Sequence, residues 1–212
     1  MNFIEIIAFF AILIYILTVL DYDKIKKFIR SIFKTYTFYI KDSTIDPNFK
    51  QETREIMKKS KINNKYSIKE TEDQFNADIM LELVDRDKLA TYQNKPRYYP
   101  GTSKMIRYSL TWQQNLFYPS ANPQPYCAID SVNWLQGVPE SGLTVRQYRE
   151  YVIQHEFLHG LGYNHQECNA KTAVNGVCPI LYQSTVGCPK GYKCGYEVTD
   201  VDYSEKIEGS TF

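Results

Sequence analysis

This sequence has little net charge and little histidine. Its 25 Lys and Arg residues almost balance 24 Asp and Glu residues, which leaves a formal net charge of +1. No block of Lys and Arg resembles a nucleic-acid-binding surface, so we expect no nucleic-acid partner. The chain also has no internal repeat and no low-complexity tract. A length of 212 residues therefore allows one folded domain with short additions.

The chain has three histidines, and all of them lie between positions 155 and 165. The segment reads H-E-x-x-H-x-x-G-x-x-H and is formed by His155, Glu156, His159, Gly162 and His165. Chance alone would place three histidines at this spacing in roughly one sequence of eight thousand. The spacing therefore argues against the plainer alternative, an amphipathic helix with two incidental histidines.

The spacing of these residues is typical of a catalytic metal site. Residues four apart share one face of a helix, so His155 and His159 can bind the same ion. Gly162 can end the helix in the left-handed conformation, and the turn would bring His165 back as a third ligand. Three protein ligands and a water form the open geometry of catalytic zinc. The sequence predicts a Zn²⁺ site, with Glu156 as general base beside the metal-bound water.

With this motif the chain resembles the zincin metallopeptidases and, among them, the metzincins, which carry a third histidine after the glycine. A closer resemblance is to a bacterial family of zincin-like domains of unassigned function. Three stretches carry it, at residues 128–139, 148–156 and 179–185. Metzincins place a methionine in a turn beneath the zinc, where this chain has Leu181. Leucine and methionine are close in volume, so Leu181 can fill the same hydrophobic floor.

The resemblance implies an α+β fold with a small mixed sheet, a buried active-site helix and a small cysteine-bearing C-terminal lobe. It also implies zinc-dependent hydrolysis of peptide bonds in a peptide or protein substrate. Tyr182 follows Leu181 and is the candidate to assist the oxyanion, as a tyrosine after the methionine turn does in some metzincins. By analogy, the strand ending at Trp112 could pair with an extended substrate.

Two other functions fit the same residues. One is a zinc amidohydrolase that acts on a non-peptide amide, such as a cell-wall or modified amino-acid substrate. The other is a non-enzymatic membrane protein that keeps a zinc-binding zincin fold for structure or assembly. The presence of Glu156 argues against the second function, because a purely structural site needs no general base.

The longest apolar run extends from Phe3 to Leu20 and is interrupted by one charge, Glu5. It is long enough to form a transmembrane helix. A cleaved signal peptide would have a basic start and a small-x-small cleavage site, and the run has neither. We therefore predict a transmembrane anchor at residues 1–20, a basic juxtamembrane helix and linker at 21–44, and a zincin-like domain at 45–212.

The side of the membrane on which the domain lies is left open by two opposing signals. Basic residues follow the apolar run and none precedes it, which places the domain on the cytoplasmic side. The cysteines favour an oxidising side. Four of the five lie between positions 168 and 194 without the C-x-x-C pairs of a second zinc site. They predict two disulfides, with all three pairings open, among Cys168, Cys178, Cys188 and Cys194; Cys127 is left without a role.

Periodicity gives an outline of the secondary structure. A helix is expected to begin at Asp46 and Pro47 and to end near Lys59. Alternating apolar residues predict strands at 77–84, 105–112 and 127–132. Residues 60–75 and 85–103 have no such pattern and are expected to be irregular. Thr144 and Gln147 fit a capping box that opens the histidine-bearing helix, and both faces of that helix carry apolar residues, so we expect it to be buried.

Overall fold

The computed structural model of the protein describes residues 33, 35–91, 97–98, 105–106, 109–114 and 124–203. The predicted anchor, residues 1–20, lies outside this set, and so do residues 21–32 of the predicted juxtamembrane helix. Within the described ranges, the helices are too short or too polar to cross a membrane.

A five-stranded mixed sheet organises the fold. Four parallel strands lie in the order β2-β1-β3-β7, and β6 runs antiparallel to β7 at one edge. The strands of this sheet are β1 (Thr35–Ile40), β2 (Ser67–Glu70), β3 (Ile79–Val84), β6 (Leu110–Gln114) and β7 (Gln124–Asp130). Two further strands, β4 (Arg97–Tyr98) and β5 (Met105–Ile106), form a separate antiparallel pair.

Four α-helices occur in the described ranges. They are α1 (Phe49–Lys59), α2 (Arg86–Ala90), α3 (Ser131–Gln136) and α4 (Val145–Gly160). Short 3-10 segments occupy Lys61–Asn64, Pro139–Ser141, Ser184–Val186 and Asp200–Tyr203. The mixed sheet and the single long helix through the histidine motif are therefore as predicted, in a mixed α/β fold.

The inner strands β3 and β7 are buried on both faces, which is usual for parallel strands. Along β3, Ile79, Leu81 and Leu83 enter the main core, which α1 and α4 share. The alternate residues Met80 and Val84 enter a smaller cluster on the other face, beneath α2. The predicted alternation of β3 is confirmed, but both of its faces are apolar because helices cover both sides.

The prediction that the folded domain begins at residue 45 is wrong, because β1 precedes that residue and belongs to the sheet. Strand β1 pairs with both β2 and β3, and it turns Tyr36, Phe38 and Ile40 inward. The predicted linker at 21–44 thus contains an inner strand of the sheet. Strand β2 in turn lies within residues 60–75, which were expected to be irregular. Strand β2 has only 4 residues, and its side chains are at most half-buried. Its sequence therefore shows no apolar alternation from which a strand could be predicted.

Smaller differences concern where elements begin and end. Helix α1 begins at Phe49, because Asp46 forms a turn before it. The Asp46 side chain accepts a hydrogen bond from the Asn48 N–H, and the Asp46 carbonyl accepts one from the Phe49 N–H. The strand predicted at 127–132 ends at Asp130, whose carboxylate caps α3 by accepting the Asn133 N–H. The strand predicted at 105–112 is divided between β5 and β6.

Candidate metal centre

Helix α4 is a mostly buried helix that bears His155, Glu156 and His159. Its predicted capping box is present, with Thr144 and Gln147 each bonding the backbone of the other. Most of the helix is buried, as expected, against β7, β6, α1 and α3. A helix held on several sides presents its side chains in fixed directions, which a metal site requires.

Helix α4 ends in a Schellman motif. The Gly162 N–H donates to the His159 carbonyl at 2.9 Å, and the Tyr163 N–H donates to the Leu158 carbonyl at 3.0 Å. Gly162 has φ of 87°, which L-residues with side chains rarely adopt. The chain therefore reverses where the motif predicted, and His165 is brought back beside the helix.

The three imidazoles meet at their Nε2 atoms. His155 Nε2 lies 3.0 Å from His159 Nε2 and 3.2 Å from His165 Nε2. These three side chains form a group that could hold a metal ion. His155 is buried, His159 is half-buried and His165 is exposed, so the group opens to solvent on the His165 side.

Backbone carbonyls fix the tautomers of two of the rings. His155 Nδ1 lies 2.7 Å from the Ile180 carbonyl, and His159 Nδ1 lies 2.6 Å from the Tyr163 carbonyl. A carbonyl only accepts, so each Nδ1 carries the proton and each Nε2 presents a lone pair. Two lone pairs this close repel each other unless a cation lies between them.

The donor set fits zinc. Zn–N bonds of about 2.0–2.1 Å in a tetrahedral site place ligand nitrogens roughly 3.3–3.4 Å apart, close to the separations found here. Burial, together with His159 and His165, lowers the pKa of His155 well below its usual range. Burial also lowers the pKa of His159. Both rings are therefore neutral at physiological pH, which is the form that binds metal.

Glu156 is buried next to this group and is held by β6. The Thr111 hydroxyl lies 2.5 Å from Glu156 Oε2 and 3.1 Å from the Glu156 carbonyl. Burial raises the pKa of the Glu156 carboxyl to about 8, and the Thr111 hydrogen bond opposes the shift. A cation at the imidazoles would lower this pKa again, because it favours the carboxylate.

Leu181 and Tyr182, the residues predicted beneath and beside the metal, have different surroundings. Leu181 is fully buried in the main core. The Tyr182 hydroxyl donates to the Gly187 carbonyl at 3.2 Å, and the Tyr182 carbonyl accepts from the Tyr151 hydroxyl at 3.1 Å. In this conformation the hydroxyl is engaged with the backbone, so the oxyanion role of Tyr182 stays a prediction.

Two disulfides hold the C-terminal segment, as predicted. They join Cys168 to Cys178 and Cys188 to Cys194, one of the three pairings that the sequence left open. The fifth cysteine, Cys127, is a buried free thiol on β7 whose Sγ donates to the Glu156 carbonyl at 3.3 Å. Burial raises the pKa of this thiol, so it stays protonated.

Two residues of the site were missed from the sequence, Thr111 and Asp202. Thr111 lies in the strand predicted at 105–112, but the strand pattern assigns it no role. Asp202 lies among other acidic residues near the C-terminal end, a pattern typical of a solvated segment, yet it is fully buried and accepts the Leu181 N–H. The position of Thr111 depends on β6 lying beside β7, and no local signal distinguished Asp202 from the acidic residues around it.

The sheet, the buried helix and the converging imidazoles define a mixed α/β protein with a group of side chains able to hold a metal ion. A family described as a protein of unknown function, DUF3152, matches residues 58–206. The match covers more than half of the 212 residues, so the chain belongs to the DUF3152 family. No curated protein matches the chain at a significant level.

Proposed function

We propose that the protein is a zinc-dependent metallopeptidase of the zincin class that hydrolyses peptide bonds. One observation supports the proposal: three imidazole nitrogens meet at a single point, and the residue after His155 is a buried carboxyl held in place by its own hydrogen bond. A structural metal site has no need of such a carboxyl, whereas a hydrolase uses it as its base.

Each residue of the site has a definite role in this proposal. His155, His159 and His165 would hold zinc through Nε2 and leave a fourth position open. Zinc in such a site supplies a Lewis acid and a water whose pKa is lowered to about 7. Glu156 would accept a proton at Oε1, the carboxyl oxygen opposite the one that Thr111 holds, and return it to the leaving amine. Thr111 holds Oε2 and so keeps the carboxyl in one orientation.

The alternatives differ from this proposal in substrate or in turnover. A zinc amidohydrolase acting on a non-peptide amide would use the same four residues and would differ only in the substrates that it accepts. A non-enzymatic zincin-like protein would bind zinc and hydrolyse nothing. Tyr182 could support the oxyanion only after its hydroxyl leaves the Gly187 carbonyl.

Location is a second part of the proposal. The apolar run at residues 3–20 supports an N-terminal membrane anchor. Disulfides persist in oxidising compartments, so the pairs in the C-terminal segment support a domain on the extracytoplasmic side. The basic residues after the apolar run remain an argument for the opposite orientation.

The test compares Glu156→Gln with His159→Ala. Glutamine keeps the shape of Glu156 and removes the base, so the variant should bind one zinc per chain, melt near the wild-type temperature and lose hydrolysis by at least about a hundredfold. His159→Ala removes a ligand and should lose both zinc and activity. Zinc content and cleavage of a mixed peptide library are measured on the same samples.

Three results would contradict the proposal. Loss of zinc from Glu156→Gln would make the glutamate a ligand, and full activity in that variant would exclude the base mechanism. Stoichiometric zinc in His159→Ala would place the metal elsewhere. A wild-type protein that binds zinc but cleaves no peptide would favour one of the alternatives, and a screen of non-peptide amides would then separate them.

A further inference from the structure

The Ile180–Leu181 peptide group lies between a metal ligand and a buried carboxyl. Its carbonyl oxygen, on Ile180, lies 2.7 Å from His155 Nδ1. Its N–H, on Leu181, donates to Asp202 Oδ1 at 3.2 Å. Both hydrogen bonds are made by one planar, conjugated amide, because the Ile180 carbonyl and the Leu181 nitrogen belong to the same peptide bond.

Asp202 is fully buried, and its known partners are hydrogen-bond donors. Oδ1 accepts the Leu181 N–H, while Oδ2 accepts both the Thr199 N–H at 2.7 Å and the Thr199 hydroxyl at 2.9 Å. A buried carboxyl is costly unless hydrogen bonds or a cation compensate it. The pathway from Asp202 through the peptide leads to the three imidazoles, where a cation is proposed to bind.

We propose that Asp202 is a positioning residue for the metal site, acting on His155 through the Ile180–Leu181 peptide. Metal-bound histidines commonly donate their second N–H to a carboxylate, which fixes the ring and increases its basicity. In this chain a peptide group stands between the carboxylate and the imidazole. Burial raises the pKa of Asp202, while the hydrogen bonds from Thr199 and Leu181 favour its ionised form. The negative charge of that form polarises the peptide and makes the Ile180 carbonyl a stronger acceptor for His155 Nδ1–H.

The same contact explains how the C-terminal turn is connected to the site. Asp202 lies in the 3-10 segment Asp200–Tyr203. Gln166, which follows His165 in the chain, also contacts this segment. The Gln166 N–H donates to the Leu181 carbonyl at 3.1 Å, and its side-chain amide donates to the Val201 carbonyl at 2.8 Å. The C-terminal turn is therefore hydrogen-bonded at two places beside the histidine group, Leu181 and Gln166.

Asp202→Asn is the decisive variant. An asparagine keeps the shape but has a single acceptor oxygen. The two donors of Thr199 will hold that oxygen, so the amide NH₂ will face the Leu181 N–H and the link to His155 will be broken. The matched control is Thr199→Val, which removes a hydroxyl from the same carboxylate but leaves the Leu181 hydrogen bond intact.

The inference rests on the proposed zinc site, but its measurements do not depend on turnover. The first measurement is the zinc dissociation constant by chelator competition. Asp202→Asn should weaken binding about 10–100-fold, as changes behind a ligand commonly do, while Thr199→Val stays close to wild type. Zinc binding by Asp202→Asn equal to that of the wild type would overturn the inference and leave the proposed hydrolase intact.

The second measurement uses the wild-type protein and decides the case if Asp202→Asn does not fold. Zinc at His155 Nε2 makes the Nδ1 proton a stronger donor, which polarises the Ile180–Leu181 peptide. In an NMR titration with zinc, the Leu181 amide proton should move downfield. The Thr199 amide donates to the same carboxylate from another peptide and should move much less. Equal movement of the two amides, or none, would refute the relay.

The two proposals fail in different ways. A wild-type protein that binds zinc, shows the Leu181 response and cleaves nothing would refute the hydrolase and retain the role of Asp202. A protein that hydrolyses peptides with an unresponsive Leu181 amide would refute the role of Asp202 alone. A wild-type protein that binds no zinc would refute both.

Discussion

At the scale of single residues, the Thr111 hydroxyl determines where the proposed base lies. It is within hydrogen-bonding distance of both the side chain and the backbone carbonyl of Glu156, so it connects β6 to α4 beside His155. Without it, a buried carboxyl would lose the donor that offsets its desolvation.

We expect Thr111→Val to lower kcat on the order of tenfold or more, because hydrogen bonds to charged groups contribute about 1.5–3 kcal/mol. Zinc content should not change, since Thr111 is not a ligand. Thr111→Ser keeps the hydroxyl and should keep most of the activity. The two variants are compared by steady-state kinetics and zinc analysis; a fully active Thr111→Val would show that Glu156 needs no such support.

Sequence spacing predicted the residues of the site that lie close together in the chain. His155, Glu156, His159 and His165 follow from helix periodicity and one glycine turn, which are local rules. Thr111 and Asp202 reach the site from 45 and 21 residues away, measured to Glu156 and Leu181 respectively. Such contacts depend on strand order and on the path of the C-terminal turn, which local patterns do not specify.

At the scale of elements, α4 depends on its first turn as well as on its packing. The Thr144 hydroxyl accepts from the Gln147 N–H, and the Gln147 side chain accepts from the Thr144 N–H. The box fixes the residue at which α4 begins, and every later side chain on the helix is placed relative to that start.

Thr144→Ala should lower the free energy of unfolding by about 0.5–2 kcal/mol, the usual effect of losing an N-cap. Arg146→Ala is the control in the same turn. The Arg146 side chain is 81% exposed and, among the described residues, pairs with Glu150, so its loss should change stability little. Urea unfolding of the metal-free proteins measures both; equal stability of the two variants would mean that packing alone fixes the helix.

The other elements could be predicted only where their sequences show clear apolar periodicity. Strand β3 and α1 have clear apolar periodicity and were predicted within a few residues. Strand β1, residues 35–40, was missed because it follows directly on a basic amphipathic stretch that was read as one helix and linker. Its alternation of threonine and tyrosine with apolar residues is itself a strand pattern. Strand β2 was missed because two of its four residues, Lys69 and Glu70, are charged and Ile68 is its one apolar residue.

At the scale of the whole molecule, the proposed anchor leads to a test in cells. The protein should stay in the membrane fraction through high-salt and carbonate washes, because an uncleaved transmembrane helix resists both, and mass spectrometry should find Met1 intact. Protease added to sealed vesicles then reports the side on which the disulfide-bonded domain lies. A soluble product beginning near residue 21 would show that the apolar run is a cleaved signal peptide.

The position of β1 makes a sharper prediction about where the folded unit begins. Strand β1 lies between β2 and β3, so its loss would divide the sheet and leave β2 without its partner. It would also remove Phe38, whose ring packs edge-to-face on Phe157 of α4 at a centroid distance of 5.8 Å. Phe157 follows Glu156 directly, so β1 supports the helix at the position of the proposed base.

A fragment of residues 33–212 should therefore fold and bind one zinc, whereas a fragment of residues 45–212 should not. The shorter fragment loses Tyr36, Phe38 and Ile40, and burial of such side chains contributes about 1.5–3 kcal/mol each. The sum is comparable with the total stability of a typical domain, about 5–15 kcal/mol. Circular dichroism, thermal unfolding and zinc analysis compare the two fragments. Cooperative unfolding and stoichiometric zinc in the shorter one would mean that β1 is dispensable and that the sheet is complete from β3 onward.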